Sequence, residues 1–96
     1  MRLDLFLKES RLVKRRPKAK EYCDLGLIEI NGTVAKAGRE VACGDTMLVK
    51  YPHRHIIIEV LSIPRRGSSP IQAAQCYRLI EEQQVKDEEL WQEEND

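Results

Sequence analysis

The apolar positions at the start of the chain recur every three or four residues. Leu3, Phe6 and Leu7 have this spacing, which places their side chains on one face of an α-helix. We predict that this helix runs from about Arg2 to Ser10. Its apolar face would pack against the core, so that Arg2 and Lys8 face elsewhere.

A second helix is predicted over residues 17–25. Ala19, Tyr22 and Cys23 repeat the spacing of one apolar face. The proline at its first position suits a helix start, because the N–H that proline lacks has no partner there. Gly26 follows the last position, where a glycine commonly ends a helix. The two helices would be joined by a short, strongly basic connection.

Short apolar runs separated by turn signals predict an antiparallel sheet after the helices. Asn31-Gly32 is the strongest signal, because both residues tolerate the positive φ angles of a two-residue hairpin. Gly44-Asp45 is a second turn signal. The strands are expected at residues 27–30, 33–35, 47–51 and 56–63. The fold class is therefore α+β, with two short N-terminal helices packed on a small curled antiparallel sheet, and residues 1–63 form one domain.

The remaining residues are predicted to form a linker, a helix and a tail. Residues 64–69 are rich in proline, glycine and serine, which is typical of a linker. Ser69 is a good N-cap and Pro70 a good first residue, so we predict a C-terminal helix over residues 70–84. Its apolar side would consist of Ile71, Ala74, Cys76, Tyr77 and Ile80. The acidic residues 85–96 are expected to form a disordered tail.

Charge is distributed unevenly, although 16 basic and 16 acidic residues give a formal net charge of zero. Residues 1–20 contain eight basic and two acidic side chains, a net charge of +6. Residues 81–96 contain one basic and eight acidic side chains, a net charge of −7. A basic end of this density predicts an anionic partner that the overall sum conceals.

The basic segment favours structured RNA as that partner. Arginine presents a planar fork that binds phosphate through two hydrogen bonds, and helix N-termini add further N–H donors. The second helix is too short to read base edges in duplex DNA, and few aromatic side chains are present for stacking on single strands. The alternative is a solvated charged surface. The candidate residues are Arg2, Lys8, Arg11, Lys14, Arg15, Arg16, Lys18 and Lys20.

Other functions are disfavoured by the length and by the cysteine and histidine spacing. A chain of 96 residues supports one small core, so we predict that it is not an enzyme and needs no cofactor. No apolar run is long enough for a membrane span or a signal peptide, which predicts a cytoplasmic protein. Cys23, Cys43 and Cys76 are expected to be reduced thiols. They and the histidines, His53 and His55 in a predicted hairpin loop, lack the spacing of a zinc site.

A set of short motifs in the first half of the chain resembles a known RNA-binding domain. In order they are Arg2-Leu3-Asp4, Phe6-Leu7, Arg15-Arg16 with Ala19-Lys20, Gly26, Ile28, Ile30-Asn31-Gly32, Lys36, Val41 and Gly44-Asp45. Over about residues 1–51 they are similar to the αL RNA-binding domain named after small-subunit ribosomal protein S-four. Within that superfamily, the small size and the N-terminal segment most resemble the RqcP (YabO) family, and next the fifteen-kilodalton heat-shock protein group.

The resemblance implies a function on the ribosome. It implies an RNA-binding factor of ribosome-associated quality control, which binds 23S rRNA and peptidyl-tRNA on split, obstructed large subunits and supports nascent-chain tailing by an RqcH-type partner. The positions that match the family's RNA-facing residues are Arg2, Arg15, Arg16, Lys20 and, at the hairpin tip, Asn31 and Gly32. Lys36 is a further candidate. We also expect a monomer that does not bind membranes.

Two features depart from the family's pattern. Pro17 stands where these proteins often carry a hydroxyl residue that can cap the second helix, so the helix entry is expected to be tighter. The acidic tail after Glu82 is longer than the resemblance requires.

Several alternatives stay open. The chain could be a heat-shock-type rescue factor that binds free large subunits with stalled tRNA, or a general adaptor for structured RNA. An enzyme of the pseudouridine synthase or methyltransferase type would need a catalytic domain that these residues do not contain. Asp4 is expected to orient nearby arginines rather than to contact RNA or a metal. An auxiliary RNA contact by His53, Arg54 and His55 is a weaker hypothesis.

Overall fold

Three helices and five strands follow one another along residues 1–85, the part of the chain that this computed structural model describes. Their order is α1 (Leu3–Glu9), α2 (Arg16–Asp24), β1 (Ile28–Ile30), β2 (Thr33–Val34), β3 (Thr46–Lys50), β4 (Arg54–Val60), α3 (Pro70–Ala74) and β5 (Tyr77–Gln84). The predicted α+β class is confirmed. All but the first residue of the predicted acidic tail lies outside the described residues.

Helix α1 forms where the apolar spacing predicts it, and Leu3, Phe6 and Leu7 are fully buried. No side chain caps its N-terminus. Instead, the N–H of Leu3 donates to the carbonyl of Arg39 over 2.8 Å and the N–H of Asp4 donates to the carbonyl of Ala37 over 3.1 Å. The loop after β2 therefore satisfies donors that a helix leaves free at its first turn.

The helix end at Gly26 and the hairpin turn at Asn31-Gly32 have the predicted backbone conformations. Gly26 follows α2 with a φ of 74°, the left-handed conformation that ends many helices. Asn31 and Gly32 have φ angles of 52° and 84° and connect β1 to β2, with Ile30 opposite Thr33. Positive φ at both turn residues is what a two-residue hairpin requires.

The sheet is antiparallel throughout, in the order β2-β1-β3-β4-β5. Buried and more exposed residues alternate along β1, β3 and β4, as expected for strands with one face in the core. The buried strand residues are Ile28, Ile30, Met47, Val49, Ile56, Ile58 and Val60. They pack in one cluster with the apolar residues of α1 and α2, so the two helices lie on this face.

The C-terminal helix is shorter than predicted. It begins at Pro70 as expected, with Ser69 as the N-cap in a capping box, but it ends at Ala74. Tyr77–Gln84 form strand β5 instead, so the prediction of a helix over residues 70–84 was wrong. The physical reason is the edge of β4, which pairs with β5 along the whole of both strands. The backbone donors and acceptors of this segment are satisfied by a neighbouring strand and not within a helix.

The apolar side assigned to that helix is also wrong in part. Ala73 and Cys76 are buried, whereas Ala74 lies on the surface and Ile71 is 73% exposed. Ile80 is the extra residue of an irregularity in the pairing of β4 with β5 and is about half exposed. The helical spacing does not apply beyond the single turn that α3 makes.

Strand β4 begins two residues before its predicted start and ends at Val60. His55 therefore lies in the strand, opposite Lys50 and half buried, and its placement in a loop was wrong. His53 remains exposed in the turn. Within residues 1–85, no helix is long and apolar enough to cross a bilayer.

Candidate nucleic-acid interface

Asp4 lies at the centre of the candidate surface and holds two arginines. Its Oδ1 accepts a hydrogen bond from Nε of Arg2 at 3.2 Å, and its Oδ2 accepts one from Nε of Arg16 at 3.3 Å. The carboxylate is almost completely buried, while both arginine side chains are about half exposed. The predicted role of Asp4 in orienting arginines agrees with this geometry.

The ionisation of Asp4 follows from these contacts. Burial alone raises the pKa of the carboxyl, but the hydrogen bonds from Arg2 and Arg16, the charge of Arg16 and the N–H of Leu5 outweigh it and hold the pKa below its ordinary value. Asp4 is therefore a carboxylate at neutral pH. The side chain fixes the relative positions of α1 and the entry to α2.

Next to this pair lies a cleft between α1 and the turn at residues 65–68. Its volume is about 310 Å³, and the lining residues are Leu5, Lys8, Glu9, Arg16, Arg66 and Gly67. Three of the six are cationic and come from three separate segments of the chain. Such convergence of positive charge suits a phosphate group.

A second cleft adjoins the first along α1. It has a volume of about 400 Å³ and is lined by Lys8, Glu9, Arg11, Lys14, Gly67 and Ser68. Arg11 has a φ of 64°, an uncommon conformation for a residue with a side chain. Arg11 lies in the turn after α1, and it lines this cleft together with Lys14.

Glu9 lies between the two clefts and is the second buried carboxylate of the surface. Its Oε1 accepts the N–H of Gly67 at 2.7 Å, and its Oε2 accepts a hydrogen bond from Nζ of Lys8 at 3.0 Å. The hydrogen bond from Gly67, followed by that from Lys8, lowers the pKa of Glu9, with the charge of Arg66 adding to the effect against burial. Glu9 is therefore ionised and ties the 65–68 turn to α1.

Three cations of the basic segment have no carboxylate within 4 Å among residues 1–85. They are Arg11, Lys14 and Arg15, all exposed. Arg15 is also the N-cap of α2, which has no side-chain cap and carries a proline in its first turn. The other N–H groups of that turn are open to an anion. Of the N-termini of α1 and α2, only that of α2 has such donors available, because the first N–H groups of α1 donate to the loop after β2.

The two lysines on α2 have partners on the same helix. Nζ of Lys18 lies 3.1 Å from Glu21, and Nζ of Lys20 lies 3.1 Å from Asp24. These pairs are exposed and therefore weak, so either lysine can exchange its partner for a phosphate at little cost. The structure does not place them in the two clefts lined by α1.

Lys36 lies exposed in the loop after β2, and the same loop approaches Arg2. The guanidinium of Arg2 passes beside Gly38, where a methyl group would lie 3.7 Å from Nη2. The loop thus brings Lys36 to the same end of α1 that carries Arg2 and Asp4.

Asn31 has structural partners at the hairpin tip. Its Nδ2 donates to Asp45 Oδ1 at 3.1 Å, and its Oδ1 accepts the N–H of Thr46 at 3.0 Å. Asp45 in turn accepts the N–H of Ala42 at 2.9 Å. The Asn31 amide therefore fixes the hairpin to the start of β3, and both Asn31 and Gly32 are exposed at the tip.

Arg65 and Arg66 were missed as candidates in the sequence, where they fall in the predicted linker. The structure places Arg66 in the cleft with Lys8 and Arg16. An arginine doublet next to a turn-forming glycine, Gly67, was the available signal. Its distance from the basic N-terminal segment in the sequence hid the spatial proximity.

The remaining candidates have other partners. Arg54 stacks on the ring of Tyr51, 4.9 Å from its centroid, and pairs with Glu82 at 3.1 Å. Cys23 and Cys76 are buried and Cys43 is exposed. Among residues 1–85, no three His, Cys, Asp or Glu side chains form a group that could hold a metal ion.

Comparison with known proteins agrees with this fold. The S4 domain family matches residues 1–46, which include α1, α2 and the first hairpin. Heat shock protein 15 of Vibrio cholerae, described as trimeric, superimposes with a TM-score of 0.77 and 25% sequence identity. The superposition covers 99% of this chain and 91% of that one. The S-four-type resemblance drawn from the motifs is confirmed.

Sequence relatives extend over nearly the whole chain. The RQC P-site tRNA stabilizing factor of Halalkalibacterium halodurans is 38% identical over 93% of this chain and 100% of its own length. The protein of the same name from Bacillus subtilis is 40% identical over 88% and 98%, and that from Helicobacter pylori is 38% identical over 80% and 92%. The chain therefore belongs to the family of RQC P-site tRNA stabilizing factors, which is not a family of enzymes.

Proposed function

We propose that the chain binds RNA in ribosome quality control, and that its ligand is the tRNA in the P site of the large ribosomal subunit. The family name supports the choice of tRNA. The binding surface would be the basic face, which we define as Arg2, Lys8, Arg11, Lys14, Arg15, Arg16, Lys18 and Lys20. Lys36 and the hairpin tip at Asn31 and Gly32 would extend it.

The observation that carries the proposal is the arrangement of Arg2 and Arg16 on Asp4. Each arginine uses Nε for the carboxylate, which leaves its terminal nitrogens available for a second acceptor. Because the buried carboxylate already fixes both guanidinium groups, binding a phosphate costs little further side-chain entropy. Two fixed guanidinium groups, one at the start of each helix, suit an RNA backbone held in one orientation.

The finer role rests on the same surface. We propose that the chain contacts 23S rRNA and peptidyl-tRNA together on split, obstructed large subunits in the cytosol. By holding the tRNA in place it would support tailing of the nascent chain by an RqcH-type partner. The basic face includes residues of α1, of the connection after it and of α2, so different segments could contact different RNA molecules.

Co-sedimentation with large subunits tests this function. The chain is expected to sediment with subunits that carry a P-site tRNA and much less with subunits from which the tRNA has been removed. Arg16→Ala should reduce the bound fraction, whereas Arg78→Ala, which removes an arginine of β5 that pairs with Glu59, should not. Equal binding to both kinds of subunit would contradict a tRNA-dependent site and favour a general adaptor for structured RNA.

A tailing assay separates the two ribosomal roles. If the RqcP-like proposal is right, purified obstructed subunits supplied with the RqcH-type partner will extend the nascent chain poorly unless the protein is added. Tailing that does not depend on the protein would favour a heat-shock-type rescue factor.

We further propose that the protein acts as a monomer. The structurally similar heat shock protein 15 is described as trimeric, so the matter is open to a direct measurement. Sedimentation velocity at several concentrations is expected to give the mass of one chain, and a concentration-dependent larger species would contradict the proposal.

A further inference from the structure

The segment predicted as a linker is a fixed turn against α1. Pro64 is buried, and Gly67 has a φ of 74°. The N–H and Oγ of Ser68 both donate to the carbonyl of Arg65, at 3.2 and 2.6 Å. The N–H of Gly67 donates to the buried Oε1 of Glu9, across 58 residues of sequence. These hydrogen bonds define the position of the turn.

The turn adds positive charge to the basic face from a distant part of the sequence. Arg66 lines the 310 Å³ cleft with Lys8 and Arg16. Arg65 and Arg66 are exposed, and within residues 1–85 no carboxylate lies within 4 Å of either guanidinium. An unpaired arginine beside two further cations on a concave surface favours a bound anion over a solvated charged surface.

We propose that this cleft is a further RNA site, in which Arg66 joins Lys8 and Arg16 around a backbone phosphate, and that Glu9 is the positioning residue that holds the turn in place. The inference rests on the proposed RNA-binding function and adds a third segment to its surface. Arg65, at the rim of the same turn, would contact the neighbouring phosphate.

The negative charge of Glu9 does not argue against an anion site. Each of its oxygens accepts a hydrogen bond, one from Gly67 and one from Lys8, so part of its negative charge is neutralised within the protein. Asp4, the other carboxylate nearby, is similarly occupied by two arginines. Three cationic residues and one carboxylate line the cleft, so the net charge of the lining is positive.

The first test compares two arginines of equal charge by fluorescence anisotropy with a labelled deacylated tRNA. Arg66→Ala is expected to weaken binding roughly fivefold and to lower the salt slope by about one, as when one phosphate is no longer neutralised. Arg78→Ala on β5 should change affinity less than about twofold. If Arg66→Ala and Arg78→Ala bind alike while Arg16→Ala binds weakly, the inference is wrong and the proposed function stands. If Arg16→Ala also binds normally, the proposed function itself is wrong.

The second test isolates the role of Glu9 at constant charge. Glu9→Gln and Glu9→Ala both remove one negative charge, which by electrostatics alone strengthens RNA binding. Glutamine keeps an oxygen that can accept the Gly67 N–H, and alanine does not. Glu9→Gln is therefore expected to bind at least as tightly as the wild type, and Glu9→Ala roughly fivefold more weakly.

The double variant Glu9→Ala with Arg66→Ala completes the comparison. Because Glu9 acts through the turn that carries Arg66, the double variant should bind no more weakly than the weaker single variant. Circular dichroism at the assay temperature selects conditions in which all variants are folded. Equal affinity of Glu9→Ala and Glu9→Gln, or additive losses in the double variant, would overturn the assignment of Glu9.

Discussion

Nε of Arg16, the first residue of α2, donates a hydrogen bond to Oδ2 of Asp4, in the first turn of α1, over 3.3 Å. Arg2 completes the arrangement from the other side of the carboxylate. One buried charge thus joins the two helices and fixes the two arginines that we propose to bind RNA. Asp4 is therefore expected to affect both the stability of the fold and the binding of RNA.

Replacing Asp4 by asparagine is expected to destabilise the protein by about 1–3 kcal/mol, because the amide cannot accept both charged hydrogen bonds with the same strength. The free energy of unfolding is measured by urea denaturation. Glu40→Gln is a suitable control, since its carboxylate pairs with the N-terminus and is 76% exposed. A similar loss of stability in both variants would show that Asp4 has no special role.

The stabilisation by Asp4 is expected to depend on pH. Because the pKa of Asp4 is lower in the folded chain than its ordinary value of 3.8, the carboxylate stabilises the fold above that value. The contribution disappears as the pH falls below 3.8 through the folded pKa. The difference in unfolding free energy between wild type and Asp4→Asn should therefore be constant near neutral pH and shrink in acid. A difference that stays constant through this acidic range would contradict the assignment.

The hydroxyl of Tyr51 is expected to stabilise the connection between α1 and α2. It donates to the carbonyl of Leu12, a buried residue, at 2.5 Å, and burial raises the pKa of Tyr51 to about 12, so the donor keeps its proton up to strongly alkaline pH. Tyr51→Phe should lower the free energy of unfolding by about 1–2 kcal/mol, since the carbonyl loses its partner. Tyr77→Phe provides the matched comparison. Equal stability of Tyr51→Phe and the wild type would contradict this role.

The three cysteines are expected to differ in reactivity. Burial, followed by the nearby charges of Asp4 and Asp24, raises the pKa of Cys23 to about 11, and burial raises the pKa of Cys76. Cys43 is exposed. An aromatic disulfide reagent should modify one thiol quickly in the native protein and the other two only on unfolding. Cys43→Ser should remove the fast phase, and a fast phase that survives this change would show that a buried cysteine is accessible.

The features predicted well from sequence are those determined within a few residues. The helix face of Leu3, Phe6 and Leu7, the Asn31-Gly32 hairpin and the start of α3 at Pro70 each follow from spacing or from allowed backbone angles. The basic face stays a prediction, drawn from the clustering of its residues within positions 2–20.

The features that were missed depend on distant partners. β5 forms because β4 offers an unpaired edge, and nothing within residues 77–84 indicates that edge. Arg66 reaches the basic face because Gly67 donates to Glu9, a hydrogen bond between residues 58 positions apart. In both cases a tertiary interaction overrides or completes what local propensity indicates.

The salt dependence of tRNA binding tests the central claim most directly. The logarithm of the affinity for a labelled tRNA is measured against the logarithm of the salt concentration for the wild type, Arg15→Ala, Arg16→Ala and the charge-matched control Arg78→Ala. If the basic face binds phosphates, Arg15→Ala and Arg16→Ala will each weaken binding and reduce the slope by roughly one for each phosphate that is no longer neutralised, while Arg78→Ala keeps the wild-type slope. Salt-independent binding, or wild-type affinity in Arg16→Ala, would contradict the claim.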